Sequence, residues 1–206
     1  MRISEKTIEI NFSSKLNYYY NNNIIWFGLT QKQEAKLGFD ICCKLKGRLY
    51  IFQLKAIRKI LKNGTYQFKT PHHQIIAMQK LSHKSARSVF YVLPDFGNTS
   101  ELMKLSKLDN YWLLDTKQIS RISEPTCKNG KIRKNKTHYI NMEIPFATIY
   151  SKPVKVDLTA LSGFSNFYSS SGLLTSSFNN DFDNFWDMIK DLDKSTKIAV
   201  EVPEQI

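Results

Sequence analysis

The sequence predicts an α/β fold in which a mixed central β-sheet is flanked by helices and followed by a C-terminal extension. Three observations predict it. Two β-prone runs, Phe39 to Leu45 and Arg48 to Ala56, flank Lys46-Gly47, where glycine supplies the positive φ of a tight turn. Ser88 to Leu93 is a near-continuous apolar run suited to a strand covered on both faces. A helix from Ser100 to Leu108 and a buried strand from Tyr111 to Leu114 follow it, which predicts a crossover connection and a partly parallel sheet.

In chain order, a strand is expected around Thr7 to Phe12, then a polar aromatic patch from Asn17 to Asn23 whose tyrosines offer faces for base stacking, then a short strand from Ile24 to Leu29. Thr30 is a good N-cap, with Gln33 completing a capping box, for a helix from Gln31 to Leu37 that Gly38 stops. The hairpin comes next. A two-residue loop at Lys46-Gly47, or a four-residue loop over 45–48, makes paired residue numbers sum to 93 and sets Asp40 opposite Gln53. Opposed residues lie ~5 Å apart, and the period of two puts Lys55 on the same face as Gln53, about 7 Å further on. Ile41, Cys43 and Leu45 then share the other face with Tyr50, Phe52 and Leu54 as a buried side. A three-residue loop with a bulge would shift the pairing by one and undo the arrangement.

Beyond Lys55, the cations Arg58, Lys59 and Lys62 precede a strand from Thr65 to Lys69, and Pro71 opens a helix to Lys84 with Ile75, Met78 and Leu81 as its buried stripe. His73 and Gln74 fall in that helix's first turn, where free backbone N–H groups favour an anion. Cys127 to Lys136 is a basic loop carrying Lys131, Arg133 and Lys134. Thr137 to Ile144 alternates as a strand, whereas Pro145 to Leu161 shows no clear period. The domain is expected to span residues 1–161, with a Ser/Asn-rich connector over 162–180 and an acidic amphipathic helix and tail over 181–206. That helix is suited to docking on the domain, to contact with a second copy or partner protein, or to covering a basic face as a mimic of nucleic acid.

Net charge is +12 over 206 residues, and residues 181–206 hold seven acidic and three basic groups, net −4, so residues 1–180 carry +16. So basic a body points to a polyanion partner. The chain has no apolar run of ~18 residues and no signal-peptide core, so no membrane partner is expected and the cytoplasm is the expected location. Three cysteines make neither a disulfide framework nor a zinc spacing.

Asp40, Gln53 and Lys55 carry the chemistry. A carboxylate and an amide oxygen converging at a strand end, with Glu34 from the preceding helix, suit a hard cation that keeps several waters. A lysine beside it orients water and offsets charge developing on a phosphoryl group. On these residues the chain resembles the PD-(D/E)xK phosphodiesterase superfamily, whose signature is Asp, a spacer through a hairpin turn, then Asp or Glu, any residue, and Lys. The match is Asp40 with Gln53-Leu54-Lys55, and Glu34 stands in the place of the helical acid. Two positions depart: Gly38-Phe39 replaces the Pro before the Asp, and Gln53 replaces the acid, as in Mrr-like restriction nucleases.

The resemblance implies a restriction-endonuclease-like fold and a nuclease that hydrolyses phosphodiester bonds in nucleic acid, DNA foremost, with Mg²⁺ or Mn²⁺ as cofactor, in a defence or mobile-element setting. It assigns Glu34 and Asp40 as metal ligands, Gln53 as an auxiliary ligand, the Leu54 carbonyl as a further one, and Lys55 as the water-orienting cation. Arg58, Lys59, Lys62, His73, Gln74, Lys131, Arg133 and Lys134 are the candidate nucleic-acid contacts. The alternatives are a non-catalytic nucleic-acid-binding module, to which Gln53 lends weight, and a nuclease subunit that cuts only within a larger assembly.

Overall fold

A computed structural model describes residues 1–45, 48–82, 88–104, 110–119, 122–126, 131–132, 136–149 and 154–165. Arg133, Lys134, the connector from residue 166 onward and the acidic helix lie outside the described residues, as do the two turn residues at 46 and 47.

The chain begins with a helix, not the expected strand. α1 spans Glu5–Tyr19, with Ser4 as its N-cap accepting from the Thr7 N–H at 3.1 Å. Its buried residues, Ile8, Phe12 and Leu16, recur every four positions, whereas Ile10, which a strand would place on Ile8's face, is 61% exposed. The patch at Asn17 to Asn23 is therefore the end of this helix and the turn after it, with Tyr18 exposed and Tyr20 packed edge-on to Phe164.

β1 (Ile25–Gly28) leads to α2 (Gln31–Leu37), whose capping box is present as expected: the Gln33 N–H donates to Thr30 Oγ1 and the Thr30 N–H to Gln33 Oε1. Gly38 closes α2 at φ 79°, and its N–H donates to Glu34 O at 2.8 Å. A Cβ at Gly38 would also sit 2.7 Å from Ala77 Cβ. Gly38→Ala is therefore expected to cost about 2 kcal/mol, part left-handed strain and part overpacking, read as a fall in urea midpoint. A change under ~0.5 kcal/mol would show that neither constraint holds.

β2 (Ile41–Leu45) and β3 (Arg48–Leu54) form the hairpin in the expected register, Leu45 opposite Arg48 through Ile41 opposite Phe52. Both of its faces are buried. Ile41, Cys43, Leu45, Tyr50, Phe52 and Leu54 pack under α1, while Cys42, Leu49 and Ile51 join the core on the other side. The adjacent cysteines thus serve as packing residues in separate layers, and burial pushes both thiols up in pKa, Cys42 to about 12.

β4 (Lys59–Ile60) and β5 (Tyr66–Pro71) come before α3 (His72–Ser82), in which Ile75, Met78 and Leu81 are buried as expected. Pro71 ends the strand and does not open the helix. β6 (Ser88–Pro94) then runs parallel to β3, which supplies the partly parallel sheet. The crossover expected between residues 93 and 111 is corrected: α4 (Thr99–Lys104) leads to β7 (Tyr111–Asp115), which lies antiparallel to β6. The parallel pair is made by the earlier excursion through β5 and α3.

The six-stranded mixed sheet has the order β1-β2-β3-β6-β7-β11, where β11 is Thr159–Ala160. A second, antiparallel sheet was not foreseen. It is ordered β10-β9-β8-β5-β4 and uses β8 (Thr137–Glu143), β9 (Phe146–Ile149) and β10 (Val154–Asp157). The last two strands arise from the segment that shows no period. Phe68, Ile140, Met142, Ala147 and Ile149 of this sheet share a core with α3 and the inner face of the central sheet. On the opposite face α1 covers the central sheet, with Phe12 edge-on to Phe52 at 5.0 Å and to Tyr111 at 5.7 Å. The body extends past Leu161, because Phe164 is fully buried against Tyr50. Among the described residues, no helix is long and apolar enough to cross a membrane.

Candidate active site

The site lies where β2 begins and β3 ends. Asp40 precedes β2 directly, and its N–H donates to Phe52 O at 3.1 Å, which carries the ladder one step beyond the strand and sets Asp40 across from Gln53. Asp40 Oδ2 accepts two hydrogen bonds of 2.7 Å, from Gln53 Nε2 and from the Leu54 N–H. Gln53 Nε2 also donates to Leu54 O at 3.2 Å. Asp40, Gln53 and Leu54 are thus brought together as the register requires.

The amide leaves one atom unserved. Gln53 is 1% exposed, and its Oε1 is buried without a hydrogen-bond partner among the described residues. Such an acceptor costs on the order of 1–3 kcal/mol unless a donor or a cation meets it. Burial also raises the Asp40 carboxyl to about 6, against the pull of the Leu54 N–H, Lys55 and Gln53.

Lys55 is 4% exposed, and its N–H donates to Val92 O at 3.1 Å, anchoring it to β6. Burial lowers its ammonium pKa, opposed by the charges of Glu5 and Asp40. Its Nζ lies 3.8 Å from Glu5 Oε1, and the same oxygen accepts from the Ala56 N–H at 3.4 Å.

Glu5 is the residue that sequence reasoning missed. It stands in the first turn of α1, beside the lysine, and brings a carboxylate to a site whose strand position carries an amide. Ser4 as a cap, with Ile8, Phe12 and Leu16 at four-residue spacing, is the signal that would have placed it.

Glu34, expected as a ligand, is not joined to Asp40, Gln53 or Lys55 by any hydrogen bond or ion pair. Burial raises its pKa first, then the charge of Glu9, while Lys6 opposes both. Lys6 in turn donates to Glu9 at 2.6 Å. Glu34 therefore feels the charges of α1, whereas Glu5 is the α1 residue that reaches the hairpin end. Among the described residues, no group of three or more His, Cys, Asp or Glu gathers closely enough to hold a metal.

The expected nucleic-acid contacts separate into two places. Gln74 is half-buried near the site, where its Oε1 accepts from Thr70 Oγ1 at 3.1 Å and its backbone lies against Gly38, two residues before Asp40. His73 is exposed on the same turn. His72, by contrast, pairs with His138, Nδ1 to Nε2, at 2.8 Å. Arg58, Lys59 and Lys62 are exposed on the stretch leading into the second sheet, and Lys131 is exposed beside the bridge of Ile132 to Thr126.

No protein-family model and no curated protein matches this chain.

Proposed function

We propose that the protein is a nuclease that hydrolyses phosphodiester bonds, with DNA as its substrate, and that the hairpin end is its active site. The observation that carries this reading is the buried cluster of Asp40, Gln53 and Lys55, in which Gln53 Oε1 lacks a partner. A desolvated carboxylate, the Gln53 amide and the neighbouring Leu54 carbonyl are the oxygen donors that a hard divalent cation takes, with water completing the shell. The amide NH2 now faces the other two, so a cation would require the amide to turn and present Oε1. These residues fit Mg²⁺ or Mn²⁺. Such an ion, when bound, supplies the Lewis acidity that polarises a phosphoryl oxygen and makes water nucleophilic.

The chain's own residues supply the rest. Asp40 is held by two short hydrogen bonds, so its carboxylate is oriented before substrate arrives. Lys55, fixed through its backbone to β6, offers a desolvated ammonium to water and to the anionic phosphoryl group, where low polarity strengthens the attraction. Glu5 holds that ammonium from the α1 side and is solvated enough to move aside for substrate.

Plasmid cleavage in Mg²⁺ or Mn²⁺ by wild type, compared with Asp40→Ala, tests the reading; equal cleavage by both overturns it. The Gln53–Asp40 hydrogen bond also favours a second reading, a nucleic-acid-binding module that keeps the fold without cutting, because it occupies an oxygen a metal would use. Binding without cleavage in wild type selects that reading.

Gln53→Glu probes the donor set directly. It would place a second carboxylate 2.7 Å from Asp40 Oδ2, where the amide N–H now stands. In EDTA this variant is expected to lose about 1–2 kcal/mol through like-charge repulsion, and Mg²⁺ should restore it. A melting temperature insensitive to Mg²⁺ would count against a metal at this position.

A further inference from the structure

We propose that a cavity of about 570 Å³ on the second sheet binds one nucleotide unit, a nucleobase with its attached phosphate. It is lined by Arg58, Lys59, Gln67, Thr126, Tyr139 and Asn141 among others. The inference deepens the nuclease reading and rests on it: Arg58, which lines the cavity, follows Lys55 by three residues, so the two Cα atoms lie within ~10 Å of each other. The volume falls in the ordinary range for small-ligand sites.

Two buried amides define what the floor recognises. Gln67 and Asn141 are 8% and 6% exposed and sit opposite each other on β5 and β8. Gln67 Nε2 donates to Asn141 Oδ1 at 3.0 Å, and among the described residues neither side chain makes another hydrogen bond. The Gln67 carbonyl oxygen and the Asn141 amide NH2 therefore remain as an acceptor and a donor on neighbouring side chains. Reversing both amides leaves the same outcome, an acceptor beside a donor. A nucleobase edge presents the complementary pair, as adenine does to asparagine or glutamine.

The rim recognises the rest of a nucleotide. The Arg58 guanidinium lies over the Tyr139 ring, 4.7 Å from its centroid, which holds the cation flat and pre-oriented for phosphate or for stacking on a base. Lys59 pairs with Gln67 in the β4–β5 ladder and adds a second positive charge on that side. Among the described residues, no Asp or Glu lines the cavity. The acid close by in sequence, Glu124, is bound by Lys136 at 2.7 Å. The bridge of Thr126 to Ile132 brings Lys131, the residue before Ile132, towards the Thr126 that lines the cavity.

The test is anisotropy of the full chain in EDTA, so that binding is read without cleavage. It compares a labelled single-stranded DNA 12-mer with a strand of the same phosphates and abasic sugars. The base-containing strand is expected to bind about 10-fold tighter, and Gln67→Leu with Asn141→Leu should remove that difference while leaving abasic binding unchanged. Arg58→Ala, at an exposed position, should weaken the base-containing strand by about 5-fold more than the abasic one, and serves if the double variant does not fold. Equal binding of both strands by wild type overturns the proposal, as does a difference that survives in a folded double variant. Competition by a free nucleoside monophosphate would identify the free nucleotide as the ligand, and its failure beside base-dependent strand binding would place the nucleotide within a strand. Base-dependent binding without Mg²⁺-dependent plasmid cleavage would sink the nuclease reading and leave this one standing.

Discussion

Lys55→Met is expected to cut Mg²⁺-dependent plasmid cleavage by about 10³-fold while holding or raising thermal stability. Loss and gain have the same cause. Lys55 is almost fully buried, and its desolvated ammonium is useful only when a phosphate or water is present to receive it. Without substrate it is a charge held out of water, answered by Glu5 at 3.8 Å and by the nearby Asp40. Methionine keeps the stem and its packing, removes the buried charge, and leaves Glu5 in solvent at 49% side-chain exposure. A residue retained for packing alone would show the reverse, unchanged cleavage beside altered stability. Asp40→Ala is expected to lose at least as much activity, since it removes the one carboxylate of the donor set. Cleavage within about 3-fold of wild type in either variant would remove the active site from this end of the hairpin.

The hairpin was legible because parity decides it. With a two-residue connection, every pair from Leu45 and Arg48 outward follows, and only one parity buries Tyr50 and Phe52 with Ile41 and Cys43. α2 was legible because Thr30, Gln33 and Gly38 are local signals acting through local hydrogen bonds. α1 was not, because Thr7-Ile8-Glu9-Ile10 alternates like a strand over four residues, while the helical stripe shows only across nine, from Ile8 to Leu16. β9 and β10 are short and gain their partners from β8 and from each other, so no local period announces them. Glu5 follows from the same error. Its place at Lys55 depends on α1 docking beside a strand end some 50 residues away, a tertiary contact that the spacing of Asp40 and Lys55 does not encode. Glu34 shows the converse: its distance from Asp40 in sequence allows contact, but the charges that act on it are those of Glu9 and Lys6 on α1.

The second large effect is on stability against pH, and it needs no substrate. Asp40 titrates at about 6 in the folded protein against an ordinary value of 3.8, because burial outweighs its hydrogen bonds. Between those two values the unfolded chain has released this proton and the folded chain keeps it. The folded state then binds more protons, so this group's contribution to stability falls as pH rises from about 4 to about 6 and is flat above. Roughly two units correspond to about 3 kcal/mol at neutral pH. Asn at this position still accepts from the Leu54 N–H and Gln53 Nε2 and has no proton to lose. In EDTA, Asp40→Asn is therefore expected to exceed wild type by about 2–3 kcal/mol at pH 7 and to match it near pH 3.5. Taking the difference between the two proteins cancels the contributions of all other groups to first order. Adding Mg²⁺ at pH 7 should raise the wild-type melting temperature and leave the variant's in place, since a bound cation stabilises only the protein that can hold it. Urea titrations at pH 3.5, 5 and 7 read the first expectation and thermal melts with and without Mg²⁺ the second. Parallel pH profiles for the two proteins would mean that Asp40 is ionised in solution-like surroundings, and the desolvated carboxylate on which the site depends would be gone.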